Sequence, residues 1–169
     1  VTAPDDFRLR AVVEADLELL VRWMNDPEVD RFWELAGPRQ RTVDHLAEQR
    51  ALGHSESYIG EIADVPMSYW ELYRADLDRL AQYYSALPYD GGVHLLLGPA
   101  AARGRGRGAT LLAAVAEQMF DGDLRMSRIV AEPDVRNVRS IRAFERAGFT
   151  RSADIDLPEK RAALMVRER

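Results

Sequence analysis

The sequence predicts a mixed α/β domain with two parallel strands at the centre of an otherwise hairpin-like sheet. Three observations carry this. Short alternating runs lie toward both ends of the chain. The middle reads strand, loop, helix, strand, helix over residues 91–147. A glycine-rich run, RGRGRG at 103–108, separates an apolar strand from a helix-periodic segment. A strand–helix–strand connection of this kind makes strands 91–98 and 128–133 parallel, through a right-handed crossover.

In chain order, FRLRAVV (7–13) reads as a strand. Leu17, Leu20, Val21 and Met24 recur at helical spacing, which predicts a helix over 14–25. Asp26-Pro27 ends it, because the residue before proline avoids the helical region. Residues 42–53 read as a helix with Thr42 as N-cap and Gly53 near its end. Two strands follow around a turn at 64–66, with Tyr69, Glu71 and Tyr73 on one face and Trp70 and Leu72 on the other. A short helix is expected at 76–84, then the apolar strand GGVHLLLG at 91–98. A helix over 108–120 precedes the buried strand 128–133. The next helix, 137–147, stops at Gly148, the residue type that favours a left-handed helix end. Strands 149–156 and 161–167 close the chain.

The 169 residues suit one domain with its own core, spanning 1–169. No cysteine is present, which excludes a disulfide frame, a thiolate metal site and a cysteine nucleophile. The net charge of −5 argues against a nucleic-acid protein. No run reaches membrane-spanning length and no charged-then-apolar leader is visible, so a cytoplasmic protein without membrane contact is expected. The histidines at 45 and 54 have no metal-ligand spacing, and no metal is expected.

The RG run is too short, and too closely flanked by apolar segments, for a disordered nucleic-acid tail. A glycine turn entering a helix instead aims several amides at one point, with the helix dipole behind them. Its spacing fits neither a dinucleotide fingerprint nor a Walker loop. The pattern R-x-x-G-x-G, at Arg103, Gly106 and Gly108, resembles the acyl-CoA pyrophosphate loop of the GNAT N-acetyltransferase superfamily. NVRSIRAFERAGF (137–149) resembles that superfamily's second hallmark. RWMNDPEVDRFWE (22–34), SYWELYR (68–74), YDGGVHLLLG (89–98), AEPDVRN (131–137) and LPEKRAALM (157–165) resemble its siderophore-pathway branch, which acylates hydroxylysine, lysine and hydroxycadaverine.

This resemblance implies the GNAT fold, a twisted mixed sheet whose parallel strands splay around the pantetheine arm. It implies acetyl-CoA or another acyl-CoA as cosubstrate, and transfer of an acetyl or succinyl group to a hydroxylated amine such as N6-hydroxylysine or N-hydroxycadaverine. The expected partners are that small amine and other enzymes of siderophore biosynthesis, with the chain a monomer or homodimer. Backbone groups of Leu95, Leu96 and Leu97 would bind the thioester arm. Arg103, Gly104, Arg105, Gly106, Arg107 and Gly108 would hold the pyrophosphate. Asn137 and Ser140 would touch the pantetheine arm, and Phe144 stands where many members carry a tyrosine acid.

His94 reads either as a buried histidine satisfied by backbone or as the catalytic base on the strand flanking the thioester. Asp134 is either a helix-capping residue or the partner of His94. Trp33, Tyr69, Glu71, Tyr73, Tyr84 and Asp90, with Tyr83 nearby, are candidates for the amine site, and also read as ordinary packing. Two other functions stay open at this point: an aminoglycoside 6′-N-acetyltransferase, and a CoA-binding module without catalysis.

Overall fold

The computed structural model of the chain describes Pro4 and residues 6–169. Its strands are β1 Phe7–Ala11, β2 Ser55–Ile62, β3 Val65–Arg74, β4 Gly91–Leu97, β5 Arg128–Ala131, β6 Thr150–Asp156 and β7 Arg161–Glu168. Its helices are α1 Leu17–Met24, α2 Pro27–Trp33, α3 Arg39–Ala51, α4 Arg107–Gly122 and α5 Val138–Arg146. The strands form one sheet in the order β1-β2-β3-β4-β5-β7-β6. Among the described residues only β4 and β5 pair in parallel, and they register at just two positions, Gly91 with Ile129 and Gly92 with Val130. Past Gly92 they part. The β3 edge of β4 stays paired as far as Leu97, so the other edge, from Val93 onward, has no strand partner. That splay opens the centre of the sheet.

The period-two alternation of β3 and β4 sends side chains to opposite layers. Trp70 and Val93 join the core under α4 and α5, with Leu111, Leu112, Val115, Ile141 and Phe144. Tyr69 and Leu96 face the other layer, under α1 and α2, with Leu20, Trp23, Met24 and Val29. Burial of each such aliphatic side chain contributes about 1.5–3 kcal/mol. Near the splay, a Cβ on Gly92 would lie 2.2 Å from the Tyr73 ring. Glycine there is what lets that ring lie across β4.

Most elements lie where the sequence predicts them, and the structure differs in four places. Asp26-Pro27 does end α1, but it also begins α2, which was not foreseen. Asp26 accepts from the Glu28 amide and Pro27 occupies the first turn, both favoured at a helix start. The helix expected at 42–53 begins at Arg39 after Pro38. Thr42 is therefore interior, not a cap: it is buried and its hydroxyl has no partner among the described residues. The short helix expected at 76–84 is two 3-10 turns, Ala75–Leu77 and Arg79–Gln82. The segment expected as one helix over 14–25 starts with a 3-10 turn at Glu14–Asp16.

The orphaned Thr42 hydroxyl gives a direct test. Thr42→Val keeps the shape and removes the unsatisfied group, so stability is expected to rise by about 1 kcal/mol. Thermal unfolding should show a midpoint higher by about 2–4 °C. A lower midpoint would mean that the hydroxyl has a partner.

Candidate active site

Two cavities are lined by residues of β4 beside the splay. The larger, about 570 Å³, is lined by Leu95, Leu96 and Leu97, the glycines 104, 106 and 108, Asn137 and Ser140, and Trp33 of α2. The smaller, about 390 Å³, is lined by Tyr73, His94 and Glu132, four leucines (52, 77, 80 and 157), and Gln49, His54, Ser55, Asp78 and Arg79. Trp33 lines the first and His94 the second, with ring centroids 6.4 Å apart. One strand thus feeds both: Leu95–Leu97 line the large cleft and His94, one residue earlier, lines the small one.

His94 is held between two carboxylates. Nδ1 lies 3.0 Å from Glu71 Oε2, and Nε2 contacts Glu132 Oε1. Both partners only accept when ionised, so the ring donates twice and is an imidazolium. Burial alone would lower its pKa, but Glu132 and Glu71 outweigh burial and raise it to about 10. Burial would likewise raise both carboxyl groups. His45 and His94 instead hold Glu71 at about 2, and His94, Lys160 and Tyr73 hold Glu132 at about 2. The cluster extends further. Tyr73 donates to Glu132 Oε2 at 3.1 Å, His45 Nε2 is 2.5 Å from Glu71 Oε1, and Tyr69 donates to the same oxygen at 3.0 Å. Of the two carboxylates, only Glu132 lines the small cavity.

At the other end of the large cleft, Gly104 and Gly106 have φ of +75° and +76°, with nothing within 4 Å of a would-be Cβ. Left-handed glycines lay the chain into an open cradle, and α4 starts immediately after it, with its first amides unpaired. The residues present therefore fit a diphosphate. Among the described residues no group of three or more His, Asp or Glu is arranged to hold a metal ion, and no helix is long and apolar enough to cross a membrane.

The family model for the acetyltransferase (GNAT) domain matches residues 12–157. The chain belongs to the GNAT acetyltransferase family. It is similar to the N(6)-hydroxylysine O-acetyltransferase of Escherichia coli, 36% identical over 92% of this chain and 49% of that one. It is also similar to the lysine N-acyltransferase MbtK of Mycobacterium sp. (strain MCS), 37% identical over 95% of this chain and 66% of that one. The chain thus spans about half to two thirds of these relatives. Among solved structures, an uncharacterized protein from Bacillus halodurans superposes with a TM-score of 0.91 at 36% identity, covering 96% of this chain and 83% of that one. AAC(6')-Ib, in complex with paromomycin and acetyl-CoA, superposes at 0.87 with 28% identity, covering 98% and 94%.

Within this GNAT frame several expected residues fall elsewhere. Asp134 does not reach His94 in the manner expected. Its carboxylate is forked onto Arg136 at 2.6–3.1 Å and accepts from the Arg136 amide, so it shapes the turn into α5. The carboxylate on Nε2 is Glu132, two residues earlier. Arg103 is not free for phosphate, because its guanidinium binds the Leu97 and Gly98 carbonyls and Asp26. Arg105 and Arg107 are exposed and do not line the cleft. Phe144 is buried against Phe149 and away from it. Asp90 is sealed by Arg128, with Tyr84 donating to it, so this pair braces β4 to β5 rather than lining either cavity. Tyr69 is wholly buried behind Glu71. Asn137 lines the cleft while also capping α5 through the Ser140 amide. His45, His54, Asp78 and the arginines of α5 were missed. Their positions arise from long-range packing, and only the 139-142-146 spacing was readable as one helix face.

Proposed function

We propose that the chain transfers an acetyl or succinyl group from acyl-CoA to the hydroxylated amine of a small aliphatic substrate such as N6-hydroxylysine or N-hydroxycadaverine, a step in hydroxamate siderophore biosynthesis. The observation that carries it is the doubly held His94, set beside Glu132 in the smaller cavity and one residue from the Leu95–Leu97 lining of the larger. The large cleft suits the donor: Gly104–Gly108 and the α4 N-terminus would take the diphosphate, and the unpaired edge of β4 would take the pantetheine amides. When bound, the thioester supplies the acyl carbon, to which nitrogen bonds as the carbon–sulfur bond breaks. The small cavity suits the acceptor. Four leucines would sheath an aliphatic chain between the Glu132–His94 end and the polar groups His54, Asp78 and Arg79.

A hydroxylamine nitrogen is far less basic than an alkyl amine and is neutral near pH 7. It needs a proton acceptor only as it reacts. His94 has no free lone pair for that task, so Glu132, held at about 2 by the imidazolium, takes only the strongly acidic proton of the cationic nitrogen formed by attack, and that proton passes to the departing thiolate. This revises the role expected of His94 as the base. Glu71 holds the ring from behind, and Asp134 acts on the chain entering α5.

The names of the relatives support this reading: one acts on N(6)-hydroxylysine, and another, from Beauveria bassiana, is an N(5)-hydroxyornithine transacylase 32% identical to this chain. The test is a mass-spectrometric screen of acetyl- and succinyl-CoA against N6-hydroxylysine, N-hydroxycadaverine, their unhydroxylated parents and kanamycin. Acylation of a hydroxylated amine in preference to its parent is expected. The product should bind ferric iron with colour, as a hydroxamate does and an O-acyl ester does not. Turnover of kanamycin with none of the hydroxylated amines would overturn the reading.

A further inference from the structure

The large cleft carries more positive charge than a diphosphate at a helix N-terminus requires. Its lining includes Arg31, Arg103, Arg136, Arg139, Arg142 and Arg146, in a protein of net charge −5. Three of these are committed: Arg103 to Asp26, Arg136 to Asp134 and Arg139 to Glu28. Arg142 and Arg146 have no carboxylate within ion-pair distance among the described residues. Both stand on the face of α5 that carries Arg139 and Ala143, opposite the buried Ile141 and Phe144.

Their order along the cleft gives them a role. Asn137 and Ser140 begin α5 beside the pantetheine end. Ala143 packs by Gly108 of the diphosphate cradle, since a Cβ on Gly108 would lie 3.8 Å from the Ala143 Cβ. Arg146 lies about 4.5 Å further along the helix axis than Ala143. We propose that Arg142 and Arg146 form a separate phosphate subsite that binds the 3′-phosphate of the donor's adenosine. The subsite rests on the acyl-CoA reading above. It makes the 3′-phosphate a recognition element, so the same thioester on a phosphopantetheine arm, which lacks that group, is a poorer donor.

The test compares CoA with 3′-dephospho-CoA by calorimetry, in the wild-type chain and in Arg142→Ala/Arg146→Ala. The wild type should bind CoA at least about tenfold more tightly, by charge-assisted hydrogen bonds, and more so as salt is lowered. In the double variant the ratio should fall to about one, with 3′-dephospho-CoA bound as before. A wild-type ratio near one, or a ratio unchanged in the variant, would overturn the subsite. Because this readout is binding alone, it is separate from the acceptor screen: CoA can show the ratio while no hydroxylated amine is acylated, and that result would count against the proposed reaction and not against the subsite.

Discussion

Glu132→Gln is expected to lower kcat/KM for the hydroxylated amine by about 10²–10⁴-fold, whereas Asp134→Asn changes it by less than about tenfold. The contrast follows from position. Glu132 touches His94 Nε2, accepts from Tyr73 and lines the smaller cavity. Asp134 spends its carboxylate on Arg136. Glutamine keeps the size of Glu132 but cannot take a proton, so the loss falls on kcat more than on donor affinity. An Asp134→Asn loss as large as that of Glu132→Gln would show that the roles are reversed.

The same variant has a signature in proton equilibria that simple misfolding would not produce. The His94 pKa is raised to about 10 because two carboxylates face it. Its contribution to stability is complete below its ordinary value of 6.5 and is lost as pH rises through about 10. The carboxylates run the other way: their contribution is complete above 4.5 and fades as pH falls toward about 2. The ionised cluster therefore persists across neutral pH, and all three contributions are complete between about 4.5 and 6.5. With Glu132 neutral, the His94 ring has one charged partner fewer and releases its proton at lower pH. An NMR titration of the ring should show this downward shift, and an unchanged titration would argue that Glu71 alone sets it.

How much of this was legible beforehand follows the range of each interaction. Strand alternation placed Tyr69, Glu71 and Tyr73 on one face, because side-chain direction in a strand is local. The parallel pair and the glycine cradle were legible for the same reason. The identity of His94's partner was not. Glu132 and Asp134 stand two apart, both just past the end of β5, so choosing between them needed the point at which the strand stops. Glu132 directly precedes Pro133, yet the sequence offers no sign of where pairing ends. His45 reaches Glu71 across 26 residues, from a helix whose polar sequence gave no hint of an inward face. α2 was hidden by a signal with two meanings: Asp-Pro closes one helix and opens the next.

The arginines of the RG run show the same limit with a larger physical consequence. Arg103→Ala is expected to destabilise the fold by about 2–4 kcal/mol, a drop of about 5–15 °C in thermal midpoint. The side chain is 12% exposed and ties three places together. Nε donates to the Leu97 carbonyl at 2.9 Å, and a terminal nitrogen donates to Gly98 and to Asp26. Asp26 in turn caps α2, and its pKa is held below the usual range chiefly by this arginine. Removing the guanidinium leaves two carbonyls and a carboxylate without their donor, at the point where β4 enters the glycine cradle and α2 brings Trp33 to the cleft. Arg103→Lys should recover only part of the loss, because one ammonium cannot span the fork. A phosphate-binding arginine would behave in the opposite way, with unfolding unchanged and only donor affinity weakened. Urea unfolding of Arg103→Ala and Arg105→Ala side by side separates the two roles: the first should unfold at clearly lower urea, and the second, exposed and outside the cleft, should unfold with the wild type.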